Sequence, residues 1–291
     1  MAIPGRFAQA LLISAALFGS ASIAGCAASG ANPRQRAAML ADKGRYTEAA
    51  AVLRKHLEAE PADIEARRLL VRMLGLGGDL GAAEREADRL AKQLGAGSPV
   101  PWIELGHAYE LAHRYEQALA LYDRASAAAP RDAAGPREGG LRAARWGEAE
   151  LAEPRLSEAL RRDPGDAKVW HALGLVRLKL KDVEGAELAY RSGLRADPAA
   201  LENRVGLATV ALLVGDPSAA LAEYDAIITA RPRFGDAYLG RAWALLELGR
   251  LEEAERALDE GARLGADRRV VARQKALLGE LRRGSEPHRN R

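Results

Sequence analysis

The chain has 291 residues, 48% of them hydrophobic but only 5% aromatic, which is enough apolar material for a core and excludes disorder as the default state. Ala, Leu, Arg, Glu and Gly dominate, a mixture that favours helices over strands and predicts an all-α chain. The net charge of +3 is unevenly spread: residues 263–291 carry nine Lys/Arg against three Asp/Glu, whereas the body from Cys26 to Ala262 has 33 basic against 37 acidic side chains. The basic face with interleaved aromatics that a nucleic-acid partner requires is therefore missing, and the basic end reads as a solvated arm.

In chain order, Met1 to Arg6 holds one positive charge, Phe7 to Phe18 is a short apolar run, and Gly19 to Gly25 is made of small residues. That is the three-part layout of a secretory signal, expected to occupy 1–25. The run falls well short of the ~20 residues that cross a bilayer as a helix. Cys26 is the one cysteine of the chain, so no intramolecular disulfide can form.

The four residues Ile23-Ala24-Gly25-Cys26 resemble the bacterial lipobox. That resemblance implies that Cys26 becomes the lipidated first residue of the mature protein, carrying diacylglycerol and palmitate-type chains rather than acting as a nucleophile or metal ligand. Two or three acyl chains, at ~0.8 kcal/mol per buried methylene, would anchor the protein effectively permanently. Ala27 follows the cysteine where an Asp would resemble an inner-membrane retention signal, which favours the outer membrane. Residues 26–33 read as a tether.

Beyond the tether a period appears. Pro130, Pro164, Pro198 and Pro232 stand 34 residues apart, a spacing that means stacked supersecondary units. In the clearest unit, Trp102, Leu105, Gly106 and Tyr109 share one helical stripe, and Ala118, Tyr122 and Ala125 share a second after a break at His113-Arg114. Pro130 closes the unit by pushing the residue before it out of the α region.

These residues resemble the tetratricopeptide repeat (TPR) signature. Trp170, Leu173, Gly174, Ala186, Tyr190 and Pro198 repeat it well, and thinner copies lie upstream and downstream. The resemblance implies a superhelix, an α-solenoid of about seven helix-turn-helix repeats over 34–268. Val270, Val271, Leu277, Leu278 and Leu281 then make one more apolar stripe, a capping helix over 269–283 that covers the last repeat, with a basic tail over 284–291. Leu94 to Pro101 carries one extra residue. The fourth unit has Pro136 and Gly139-Gly140 at signature positions and Pro154 inside its second helix, so residues 131–155 are expected to form a soft point or bend, or a second helix that starts late.

No Gly-rich phosphate loop, paired-cysteine knuckle or His-x-x-x-His spacing is present, and the five histidines are scattered, so neither catalysis nor a metal or cofactor is expected. Glu252-Glu253 reads as solvated surface. In the TPR family the first helix of each unit lines a concave surface. Carried onto this chain, the groove-facing positions are Arg68, Arg72, His107, Glu110, Arg137, Leu141, Arg145, Lys168, His171, Leu175, Leu178, Lys179, Thr209, Leu212 and Trp243. Chaperone-binding TPRs hold a terminal carboxylate with a Lys/Asn/Asn/Lys/Arg set, and no groove position here is Asn, so that clamp is not expected. A groove mixing cations with leucines suits a partner segment that presents acidic and apolar side chains.

The layout as a whole is similar to that of the outer-membrane TPR lipoproteins of pilus assembly: the tight-adherence lipoprotein and the pilotins that help secretins insert. The resemblance implies a periplasm-facing scaffold for a secretin or another envelope assembly component. The alternative is an adaptor for peptidoglycan hydrolases or for outer-membrane protein insertion.

Overall fold

Helix follows helix without a strand across residues 32–285, the part of the chain that the computed structural model describes. The first pair is α1 (Pro33–Ala41) and α2 (Tyr46–Ala59), followed by α3 (Ile64–Leu76) and α4 (Leu80–Leu94), then α5 (Val100–Leu111) and α6 (Tyr115–Ala128). The array continues with α7 (Ala134–Trp146) and α8 (Ala149–Arg162), α9 (Ala167–Lys179) and α10 (Val183–Ala196), α11 (Leu201–Leu213) and α12 (Pro217–Ala230), and α13 (Gly235–Glu247) and α14 (Leu251–Arg263). A single helix, α15 (Arg268–Ser285), closes it. The expected superhelix of seven pairs and a cap is thus what the chain forms. Cys26, the apolar run before it and the last residues of the basic tail lie outside the described residues.

The turn inside each pair is set by one left-handed residue. Gly44, Gly78, Gly147, Gly215 and Gly249 occupy it with φ between 70° and 86°, and His113 and Lys181 fill the same place at 59° and 64°. The second helix is then started in several units by an aspartate whose side chain accepts a backbone N–H: Asp79 from Ala82, Asp182 from Gly185 and Asp216 from Ala219. Such a cap satisfies a donor that the first turn leaves free. Arg45, Arg114, Glu148 and Arg250 stand at the equivalent position without a side-chain cap.

Packing between helices rests on large residues placed against small ones. The ring of Tyr190 is fully buried and lies between Gly174 and Gly206, where an added Cβ would come within 2.3 and 2.4 Å of its Cε1. Each half of the arrangement recurs singly, with Tyr122 against Gly106 inside one unit and Tyr224 against Gly240 of the next. The core is therefore a chain of buried Ala, Leu and Tyr clusters running along the array, as expected when each unit touches only its neighbours.

The fourth unit departs from its expectation. α8 begins at Ala149, in register with α6 and α10, and runs unbroken through Pro154. It does not start late. Gly139 and Gly140 are tight contacts: a Cβ on Gly140 would lie 2.8 Å from the Leu156 side chain and 2.9 Å from its backbone nitrogen, and one on Gly139 would lie 3.1 Å from Tyr122. The same small residues that weaken helix propensity allow α7 to sit close against α6 and α8.

The basic C-terminal arm also differs from a solvated tail. Most of it is α15, which buries Val271 and Leu278 against α13 and α14. Lys275 pairs with Asp259 at 2.6 Å, and Arg282 with Glu255 at 2.7 Å.

Candidate functional site

The first helices of the units lie side by side and present the groove-facing positions. Their charges are not free along the N-terminal half. Glu104, on α5, is 1% exposed and receives Arg68 Nε at 2.9 Å and Arg72 Nη2 at 2.8 Å from α3. Burial alone would raise its carboxyl pKa, but hydrogen bonds from His107, Arg72 and Arg68 outweigh burial and hold it at about 2.

The ionic chain continues toward the C-terminus. His107 lies 4.0 Å from Glu104 and 3.4 Å from Glu138 on α7. Burial disfavours the charged imidazole, yet the two carboxylates on either side raise its pKa above the ordinary value. Arg142 reaches Glu110 at 2.8 Å and Glu138 at 3.2 Å. Arg137 bridges Glu138 at 2.9 Å and Asp166, before α9, at 2.8 Å. Burial again works against both carboxylates, but His107, Arg142 and Arg137 lower the pKa of Glu138, and Arg137 with the backbone N–H groups of Val169 and Lys168 lowers that of Asp166.

Arg68, Arg72 and Arg137, expected as groove-facing cations, are members of a ladder that balances charge across α3, α5, α7 and the start of α9. The physical reason is proximity: helices stacked at about 10 Å bring opposite charges one repeat apart into contact. The expectation missed Glu104, Glu138, Arg142 and Asp166. The signal was available as opposite charges separated by nearly one repeat, 36 residues for Arg68 and Glu104 and 29 for Arg137 and Asp166.

The remaining positions are arranged differently. Arg145 and Lys168 are exposed and make no ion pair among the described residues. Lys179 is exposed and its Nζ donates to Gly147 O. With Leu141, Ala144 and the 52%-exposed Leu175, Arg145 and Lys179 line a cleft of about 460 Å³ between α7 and α9. Leu178 packs on the small cluster around Tyr190. His171 is half-buried, its ring centroid 6.0 Å from that of Tyr190, and burial lowers its pKa. Thr209 donates its hydroxyl to Val205 O within α11. Leu212 and Trp243 line a second cleft, of about 280 Å³, with Val205, Phe234 and Val270.

His56, Glu60 and Asp63 bring one potential metal-ligand atom each within 4.8 Å of one another at the α2–α3 turn. Asp63 there caps Ala66 N and bonds His56 Nε2 at 2.7 Å, which is a structural use of both groups. No helix among the described residues is long and apolar enough to cross a membrane.

This stacking of helix pairs, each against its neighbours, defines an all-helical repeat protein. Residues 138–200 and 211–281 match family models described as tetratricopeptide repeat. Among solved structures, the C-terminal part of a TPR repeat-containing protein from Cytophaga hutchinsonii is similar with a TM-score of 0.61 at 16% identity, covering 82% of this chain and 98% of that one. YrrB, described as a TPR protein with an unusual peptide-binding site, gives a TM-score of 0.56 at 19% identity, covering 65% of this chain and 97% of that one. A heat-shock protein cognate co-chaperone, sgt12 of Aspergillus fumigatus, is 34% identical over 114 residues, which is 37% of this chain and 33% of that protein. The chain spans about a third of that relative's length.

Proposed function

We propose that this protein is a lipid-anchored scaffold that holds a protein partner along its concave face, at the periplasmic side of the outer membrane, during envelope assembly. The observation that carries the binding reading is the division among the groove-facing cations: Arg68, Arg72 and Arg137 are neutralised by internal carboxylates, whereas Arg145 and Lys168 are exposed, beside the exposed Leu175, and make no ion pair among the described residues. A concave face with uncompensated cations beside exposed leucine suits a segment of acidic and apolar side chains.

The similarity to the co-chaperone supports protein binding but not its ligand. Asn203, the one asparagine within the paired helices α1–α14, is 1% exposed and donates to Ala167 O, so the chaperone-type carboxylate clamp has no counterpart here. The anchor reading rests on Ile23-Ala24-Gly25-Cys26, and the assembly reading on its combination with a repeat array, in which a secretin is the partner.

Labelling cells with radioactive palmitate tests the anchor: the parent chain incorporates label, Cys26→Ser does not, and an unlabelled parent chain overturns it. Cross-linking the anchored chain in intact envelopes tests the partner. Recovery of a secretin supports the reading, whereas recovery of peptidoglycan hydrolases or of the outer-membrane insertion machinery alone replaces it with an adaptor role.

A further inference from the structure

We infer that the groove grips an extended partner segment at two chemically distinct places: a carboxylate side chain in the cleft between α7 and α9, and a bulky apolar side chain in the cleft framed by α11, α13 and α15. This rests on the protein-binding reading above and specifies what the partner must present.

The first cleft is lined by Arg142, Arg145 and Lys179 among apolar side chains, with no acidic residue in its wall. Arg142 is already bound to Glu110 and Glu138. Among the described residues Arg145 has no ionic partner, and Lys179 Nζ donates to the carbonyl of Gly147 without an ionic partner. Their charge is uncompensated at the cleft, so an incoming carboxylate gains charge-assisted hydrogen bonds without displacing an internal acid. At Arg68, Arg72 or Arg137 the same carboxylate would have to compete with Glu104, Glu138 or Asp166. Among the groove-facing cations, Arg145 and Lys179 are the two uncompensated ones that converge on one cleft, and Lys168 stands outside its wall.

The second cleft has the opposite character. Trp243, Phe234, Leu212, Val205 and Val270 form its wall, no cation lines it, and the one acid present is Asp236. A carboxylate is repelled there, whereas an aromatic or branched aliphatic side chain removes apolar surface from water. The capping helix α15 supplies Val270, so this cleft exists only at the end of the array. First helices of adjacent units lie about 10 Å apart, which puts the two clefts about 20 Å, or about six extended residues, from each other.

The test is selection of a random peptide library, about twelve residues long to exceed that span, displayed on phage and presented to the full chain. The expected consensus is an Asp or Glu about six positions from a Trp, Phe or Leu. Reversing the charges with Arg145→Glu and Lys179→Glu should weaken a selected peptide by about tenfold or more and remove the acidic preference while keeping the bulky one. Trp243→Ala should do the converse, and Phe234→Ala, at an exposed position, repeats that measurement without touching the core. Captured peptides lacking an acid, or an acidic preference indifferent to Arg145→Glu and Lys179→Glu, would overturn the two-place assignment while leaving protein binding intact. If the folded full chain captures no peptide at all, the protein-binding reading falls with it.

Discussion

Lys181 and His113 hold left-handed backbone at φ of 64° and 59° where five other units place glycine. A Cβ in that region is crowded by the neighbouring carbonyl at a cost of ~1–2 kcal/mol, partly offset by the extra freedom glycine has in the unfolded chain. Lys181→Gly is therefore expected to stabilise the array by about 1 kcal/mol, read as a higher urea midpoint at unchanged slope. His113 should gain less, because its Nδ1 lies 3.0 Å from the Tyr115 hydroxyl and that contact would be lost. Glu104 sets a larger stake. Its carboxyl pKa falls from 4.5 to about 2 on folding, so the stability it contributes is present above pH ~4.5 and disappears as pH drops through about 2, amounting to ~3 kcal/mol at neutral pH. Glu104→Gln should lose about that amount at pH 7, and the difference from the parent should shrink across the acid window. His107 works in the other direction. Its pKa is raised above 6.5, so its contribution is complete below that value and fades as pH rises past the folded pKa. Replacing His107 by Gln should flatten the decline of stability on the alkaline side of neutrality, as followed by urea titrations at stepped pH.

Among the helices, the tyrosine-between-glycines contact was only half legible. The pairing of Gly174 with Tyr190 follows from the signature within one unit, but Gly206 reaches the same ring from the next unit, and nothing in its local sequence marks it. Gly206→Ala raises helix propensity by about 1 kcal/mol, yet its methyl would meet an immobile buried ring at 2.4 Å. Overpacking of that kind costs ~1–3 kcal/mol, so the net expectation is a loss of stability, measured by thermal or urea unfolding. Helix α8 gives the opposite case. Pro154 cannot donate to Glu150 O and crowds the preceding turn, and Pro154→Ala should stabilise by ~1–3 kcal/mol. Amide exchange in α8 of the parent should exceed that in α6 and α10; equal rates would show that close packing through Gly139 and Gly140 offsets the proline completely.

At the scale of the whole array, each unit buries its apolar side against the next, so both ends need closure. Val271 and Leu278 of α15 complete the terminal cluster that includes Leu245, Ala257 and Leu258. Truncation after Ala266 should expose that cluster, producing self-association by light scattering and a loss of cooperativity that begins in the last pair. The same truncation removes Val270 and Gln274 from the second cleft, linking the end of the solenoid to its selectivity.

The period of 34 residues, the alternation of large and small residues on each stripe and the turn glycines are local in character, and by themselves they determined an all-helical array of seven pairs with a cap. They act within a few residues or within one unit, so they are readable along the chain. Which charges are free is decided elsewhere. Arg68 and Arg145 look alike in their own helices, yet one meets Glu104 from the adjacent unit and the other meets solvent. Coulombic pairing depends on distance in space, and only the stacking of one unit on the next brings residues about thirty positions apart within 3 Å of each other.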